Sequence, residues 1–166
     1  MYNFTFHVPT TIHFGKGQIS HLDELAQYGK KALLCYGGGS IKRNGIYDEA
    51  LRILGQVEEL SGVEPNPRIE TVRRGVETCK TTGVDMVLAI GGGSTIDCAK
   101  VVAAGARYDG DPWDLVIHPE KITAALPIFS VLTLSATGSE MDPFAVISDM
   151  TKNEKWGTAA ECMKPT

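Results

Sequence analysis

Four short apolar runs, each followed by a segment with helical spacing or by a loop, predict an α/β fold. It is a Rossmann-like parallel sheet with flanking helices and an N-terminal edge hairpin. Three observations carry the prediction: the apolar runs are four to seven residues long, the segments between them repeat apolar residues every three or four positions, and glycine-containing loops follow three of the runs. At 166 residues and 43% hydrophobic, the chain reads as a single domain over 1–166 that can bury one core.

The elements follow in order. Residues 3–14 are rich in Phe, Thr, Val, Ile and His, and Pro9 interrupts them; this composition predicts a hairpin at a sheet edge, because proline cannot donate to a ladder. Ile19, Leu22, Leu25 and Ala26 have helical spacing. Ala32 to Tyr36 is a strand, and Ile46, Ala50, Ile53 and Leu54 mark a helix. Val57 to Leu60 is a weaker strand, and 62–67 is a turn-rich connection broken by two prolines. A helix carrying Ile69, Val72, Val76 and Cys79 leads to a strand at 86–90, a helix from Thr95 to about Ala106, a short helix within 111–120 ended by Pro119, and a strand at 128–134.

Right-handed crossovers would bring the loops after these strands to one sheet edge, where ligands of such folds bind. The loops are Gly37-Gly38-Gly39-Ser40, Gly91-Gly92-Gly93-Ser94 and Ser135-Ala136-Thr137-Gly138-Ser139. Glycine lets backbone amides approach an anion, and Ser94 begins a helix whose free amides and dipole favour phosphate. Gly91 to Ser94 therefore reads as a pyrophosphate cradle. The competing reading is turn chemistry, with Ser94 and Asp97 spaced as a variant capping box. The loop lacks the third glycine of the dinucleotide fingerprint, and no P-loop motif is present.

Composition excludes other classes. Net charge is −4 and the basic residues are scattered, so neither nucleic acid nor an anionic membrane is an expected partner. No run reaches the ~18 apolar residues of a membrane span, and no secretory signal opens the chain. Cys35, Cys79, Cys98 and Cys162 form no C-x-x-C pair; the first three fall inside expected elements and read as buried thiols of a cytoplasmic protein.

The strings GGGSTIDCAK at 91–100 and TLSATGSEMDPFAVI at 133–147 closely resemble the iron-containing alcohol dehydrogenase family. YGGGSIKRNGIYDEAL at 36–51, GVEPNP at 62–67 and YDGDPWDLV at 108–116 look like its butanol dehydrogenase branch. The resemblance implies reversible oxidation of a small alcohol to an aldehyde with a nicotinamide cofactor, assisted by Fe2+ or another divalent metal. By position it implies that Gly91, Gly92, Gly93 and Ser94 hold the pyrophosphate. Asp97 would lie near the cofactor, Thr133, Thr137 and Ser139 would line its crevice, and Lys155 would stand close by. Asp97 also fits as a first-turn partner of the helix dipole. Lys100 reads as a packing or salt-bridge residue, and Glu140 and Asp142 as loop carboxylates.

At the first loop no carboxylate ends the strand, and Gly38, Gly39 and Ser40 leave space with Lys42 and Arg43 nearby. NADP(H) is therefore expected in preference to NAD(H). Family members are more than twice as long, and a helical C-terminal domain supplies their metal ligands, an aspartate and three histidines. The chain stops short of it, so no catalytic or metal-binding residue is assigned. The expectation for these 166 residues alone is no metal and little or no turnover, with the N-terminal strands taking part in a homodimer. Asp114 and His118 have ligand-like spacing in the wrong context, and His7, His13 and His21 read as surface or packing residues. Glycerol dehydrogenase and dehydroquinate synthase share the GGG-x-x-x-D pattern and remain alternatives, as does a nucleotide-binding module without chemistry.

Overall fold

The computed structural model describes Asn3 and residues 7–166. Four strands, β1 (Ala32–Tyr36), β2 (Val57–Leu60), β3 (Met86–Gly91) and β4 (Ile128–Leu132), form one sheet in the order β2-β1-β3-β4, with every neighbouring pair parallel. The helices are α1 (Ser40–Arg43), α2 (Ile46–Leu54), α3 (Ile69–Thr82), α4 (Gly93–Gly105) and α5 (Pro112–Ile117), with 3-10 turns at Gln18–Gln27, Pro119–Lys121 and Glu161–Met163.

Strands β1 and β3 are buried along their whole length because both faces are covered. The two-residue period sorts their side chains. Leu33, Cys35, Val87 and Ala89 join the core beneath α3, α4 and α5, whereas Leu34, Tyr36, Met86, Leu88 and Ile90 join a second core with the 18–27 turn and α2.

Helix α4 is apolar nearly all round, and every residue from Cys98 to Gly105 is buried. Such a helix must be enclosed, and here the sheet, α3, α5 and a later strand pack around it. It meets α3 at glycine. A Cβ on Gly75 would stand 2.7 Å from Val102 Cγ2, and one on Gly105 would stand 2.6 Å from Val76 Cγ2. Helix α5 starts as its residues dictate, with Pro112 in the first turn and the Asp111 carboxylate accepting from Trp113 N at 2.8 Å.

Two expectations need correction. Among the described residues 7–14 there is no strand, so this part of the expected hairpin is absent; residues 4–6 of it lie outside the described set. The segment is pinned at Thr10, whose hydroxyl donates to the Pro165 carbonyl at 2.6 Å. The strand expected at 128–134 ends at Leu132: its last rung is Thr133 N donating to Gly91 O at 2.9 Å, and β3 itself stops at Gly91, so Leu134 has no ladder partner. A hairpin that the sequence pattern did not reveal, β5 (Phe144–Asp149) with β6 (Glu154–Ala159), forms a separate antiparallel sheet. It is tied back by Ser148 N, which bonds Pro67 O at 2.9 Å, and by Thr158 Oγ1, which bonds Leu115 O at 2.7 Å.

Candidate functional site

The register sets the site. Tyr36 lies beside Ile90, and Gly91 beside Leu132, so the loops leaving β1, β3 and β4 emerge side by side at the carboxyl edge. The second loop is close-packed where it meets its own helix, since a Cβ on Gly91 would overlap the Thr95 hydroxyl. Gly92 and Gly93 face the third loop instead: a Cβ on Gly93 would lie 3.9 Å from Thr137 Oγ1 and 4.0 Å from Ser139 Cβ. No side chain caps α4, so its first amides are left open to a ligand.

The capping-box reading of Ser94 and Asp97 fails, because the Asp97 carboxylate is used elsewhere. Its Oδ1 accepts from Ser139 Oγ at 2.7 Å, and its Oδ2 accepts from Val146 N at 3.0 Å. Burial pushes the Asp97 carboxyl above its ordinary range, against the lowering effect of those two bonds. Behind it the fully buried Lys100 ammonium donates to Ser139 Oγ at 3.0 Å, to Asp142 Oδ1 at 2.9 Å and to the Phe144 carbonyl at 2.8 Å. Asp97, Ser139, Lys100 and Asp142 thus form one network that fixes the third loop and β5 against α4. Lys100 is the structural ion-pair residue that its position suggested.

Lys155 reaches the same edge from β6. Its ammonium donates to Asn66 Oδ1 at 2.7 Å, and Asn66 N donates to Ser94 Oγ at 3.4 Å. Asn66 is the residue that sequence reasoning missed. It adopts φ 58°, left-handed backbone that asparagine tolerates better than most residues, within the Pro65-Asn66-Pro67 turn. Thr133 and Thr137 are exposed on the third loop.

At the first loop Gly38 and Gly39 have open space around their Cβ positions, and Gly39 has φ 89°. Ser40 is exposed at the start of α1. Sequence reasoning placed no carboxylate here, but one arrives from the neighbouring strand. Glu59 of β2 accepts from Tyr36 Oη at 2.5 Å and from Tyr47 Oη at 2.6 Å, which hold its carboxyl below the ordinary range. Lys42, counted as a base available to a phosphate, lies 4.3 Å from the Tyr47 ring centroid and 3.8 Å from Glu59 Oε2. It is therefore engaged.

Asp114 and His118, whose spacing resembles a ligand pair, have separate partners. Asp114 accepts from Tyr108 Oη at 3.2 Å, whereas His118 turns to Glu120 at 3.3 Å. Among the described residues, the one group of three potential ligands with converging donor atoms is His13, His21 and Glu24 on the N-terminal segment and the first 3-10 turn, in a cleft that Ser135 and Glu140 also line.

The site is thus a strand-loop-helix edge of a parallel α/β sheet, with three glycine-containing loops tied by an Asp-Ser-Lys network. The iron-containing alcohol dehydrogenase family model matches residues 9–166, and the chain belongs to that family. It is 59% identical to the NADH-dependent butanol dehydrogenase A of Clostridium acetobutylicum, over 99% of this chain and 44% of that protein. It is 42% identical to an NADPH-dependent aldehyde reductase of Escherichia coli, over 93% of this chain and 41% of that one. The crystal structure of an NADH-dependent butanol dehydrogenase A from Thermotoga maritima superposes with a TM-score of 0.94 at 47% identity, over 99% of this chain and 43% of that one. The chain spans less than half the length of these relatives.

Proposed function

We propose that this chain is the cofactor-binding half of a metal-dependent alcohol dehydrogenase or aldehyde reductase of the butanol dehydrogenase kind. The observation that carries the reading is the Asp97–Ser139 bond, which clamps the third loop against the glycine loop that opens α4. Gly91, Gly92, Gly93 and Ser94 hold the pyrophosphate at the open amides of the helix. Thr133, Thr137 and Ser139 line the crevice, while Asn66 and Lys155 close its far side. Asp97 acts from behind as a positioning residue, since both of its oxygens are occupied. The cofactor carries the hydride, and the chain supplies its binding and orientation. The substrate is a small alcohol or aldehyde, and the divalent metal that polarises its oxygen is held by residues outside this chain.

Gly38, Gly39 and Ser40 admit the adenosine ribose. With Lys42 engaged, a preference for NADP(H) rests on Ser40, Arg43 and open space alone, so the loop accepts NADP(H) and tolerates NAD(H). The buried thiols Cys35, Cys79 and Cys98 support a cytoplasmic location. The exposed Ile12 and Phe14 support a dimer contact at the N-terminal segment.

The test is calorimetric titration of the folded chain with NADPH and NADH in parallel, with Ser139→Ala as control. Saturable binding of either that weakens in the variant is the expected result. No binding of either cofactor to a chain shown to be folded refutes the assignment of these loops.

A further inference from the structure

We infer that His13, His21 and Glu24 form a binding site for one divalent transition-metal ion of the zinc or nickel class. The three residues share a cleft with Ser135 and Glu140, but the inference does not depend on the cofactor reading.

The geometry starts with the helix type. In a 3-10 helix three residues complete a turn, so side chains at i and i+3 eclipse. In the Gln18–Gln27 turn this stacks His21 over Glu24, with Nδ1 and Oε1 2.5 Å apart. An α-helix would offset the pair by a fraction of a turn. His13 arrives from the preceding segment, which reverses at Gly15 (φ 136°) and Gly17 (φ 81°). Its ring lies flat on that of His21, centroids 3.7 Å apart and planes inclined by 12°, and its Nε2 is 3.9 Å from Glu24 Oε2.

The donor atoms all lie within 4.8 Å of one another. Around a tetrahedral ion with bonds of about 2.0–2.1 Å, neighbouring donors stand about 3.3 Å apart. The observed spacings bracket that value, but an imidazole lone pair lies in its ring plane, so one of the two stacked rings must turn out of the stack before both nitrogens face one ion. Two imidazoles with one carboxylate suit Zn2+, Ni2+ or Cu2+, whereas Mg2+ and Ca2+ take oxygen ligands. Three protein ligands leave a fourth position for water. The three side chains are 35–47% exposed, so the ion enters directly from solvent. Bound there, it cross-links the 12–15 segment to the first helical turn and stabilises the folded chain by mass action.

The experiment uses the full chain carrying Cys162→Ser, which removes the exposed thiol as a rival ligand. Zn2+, Ni2+ and, as a control, Mg2+ are titrated by calorimetry, and thermal melts are recorded with each ion. The expected result is a single saturable equivalent of Zn2+ or Ni2+ with a raised melting temperature, and no response to Mg2+. His13→Ala and His21→Ala should each weaken binding at least about tenfold, the lower end of what loss of even an outer-shell partner costs. Glu24→Gln retains the side-chain shape, so a weaker affinity in that variant, with an unchanged metal-free melt, separates ligation from folding. Absence of saturable binding, equal binding of Mg2+, or unchanged affinity in the His13→Ala/His21→Ala double variant overturns the inference.

Discussion

Replacing Lys100 with methionine keeps the unbranched stem in its buried slot and deletes the ammonium. That ammonium makes three bonds, to Ser139, Asp142 and Phe144, with its side chain fully buried. At about 1.5–3 kcal/mol for each bond to a charged group, the gross contribution is about 4.5–9 kcal/mol. Stripping the ammonium of water costs several kcal/mol in the other direction, and the same burial holds its pKa below the ordinary 10.5. What methionine leaves behind decides the net effect. The Phe144 carbonyl loses its donor, a penalty of about 1–3 kcal/mol. Asp142 keeps its bond from Phe144 N and, with 32% of its side chain exposed, regains water. Ser139 keeps Asp97.

The expected loss is therefore about 2–4 kcal/mol, at or below the usual range for breaking a buried pair. In a chain of this size it lowers the melting temperature by about 4–16 °C. Urea unfolding followed by circular dichroism should show a lower midpoint with an unchanged m-value. Lys100→Met combined with Asp142→Asn should recover little of the loss, since Asp142 already regains water and the Phe144 carbonyl still lacks its donor. A Lys100→Met midpoint at or above that of the parent refutes the view that this network holds the third loop.

Other outcomes follow from the same structure. Asp149 accepts from Thr151 Oγ1 at 2.6 Å, and this bond holds its carboxyl below the ordinary 3.8. A group whose pKa is lowered by folding stabilises above its unfolded value, so Asp149→Asn should reduce the urea midpoint near neutral pH. The difference should fade as pH falls below 3.8, and a constant difference across that range contradicts the account. Thiol labelling under native conditions should modify Cys162 alone; burial raises Cys79 and Cys98 to about 12, and unfolding should release all four thiols. Asn66→Gly keeps the left-handed turn and loses only the Lys155 anchor. Asn66→Ala adds strain of about 1–2 kcal/mol, so the alanine variant should melt below the glycine one.

Much of the fold was legible because its strongest signals are local. Strands β1 and β3 are continuous apolar runs, and α3 repeats its buried residues at helical steps. The β5–β6 hairpin escaped notice because Glu154 to Gly157 are all exposed and offer no apolar contrast; its order comes from Leu115 and Pro67, far away in sequence. The N-terminal segment misled in the opposite way, since its strand-like composition has no ladder partner at residues 7–14. At the sheet edge the positions of the glycine-containing loops could be read directly, whereas the bonds of Asp97 to Ser139 and Val146 could not. The engagement of Lys42 by Glu59 depends on tyrosines brought together by tertiary packing, which no local pattern records. The left-handed turn at Asn66 was hidden because the proline after it argues for extended backbone.

Val102 sits on Gly75 and Val76 sits on Gly105, so α3 and α4 are pegged together at two points. A helix pegged once can pivot, whereas one pegged twice keeps its height and its rotation. The amide end of α4 is accordingly the fixed jaw of a vice. Asp97 and Lys100 hold the third loop to that jaw, so adjustment to whatever lies between falls on the loop at 37–40, where Gly39 adopts φ 89° with open space around its Cβ position.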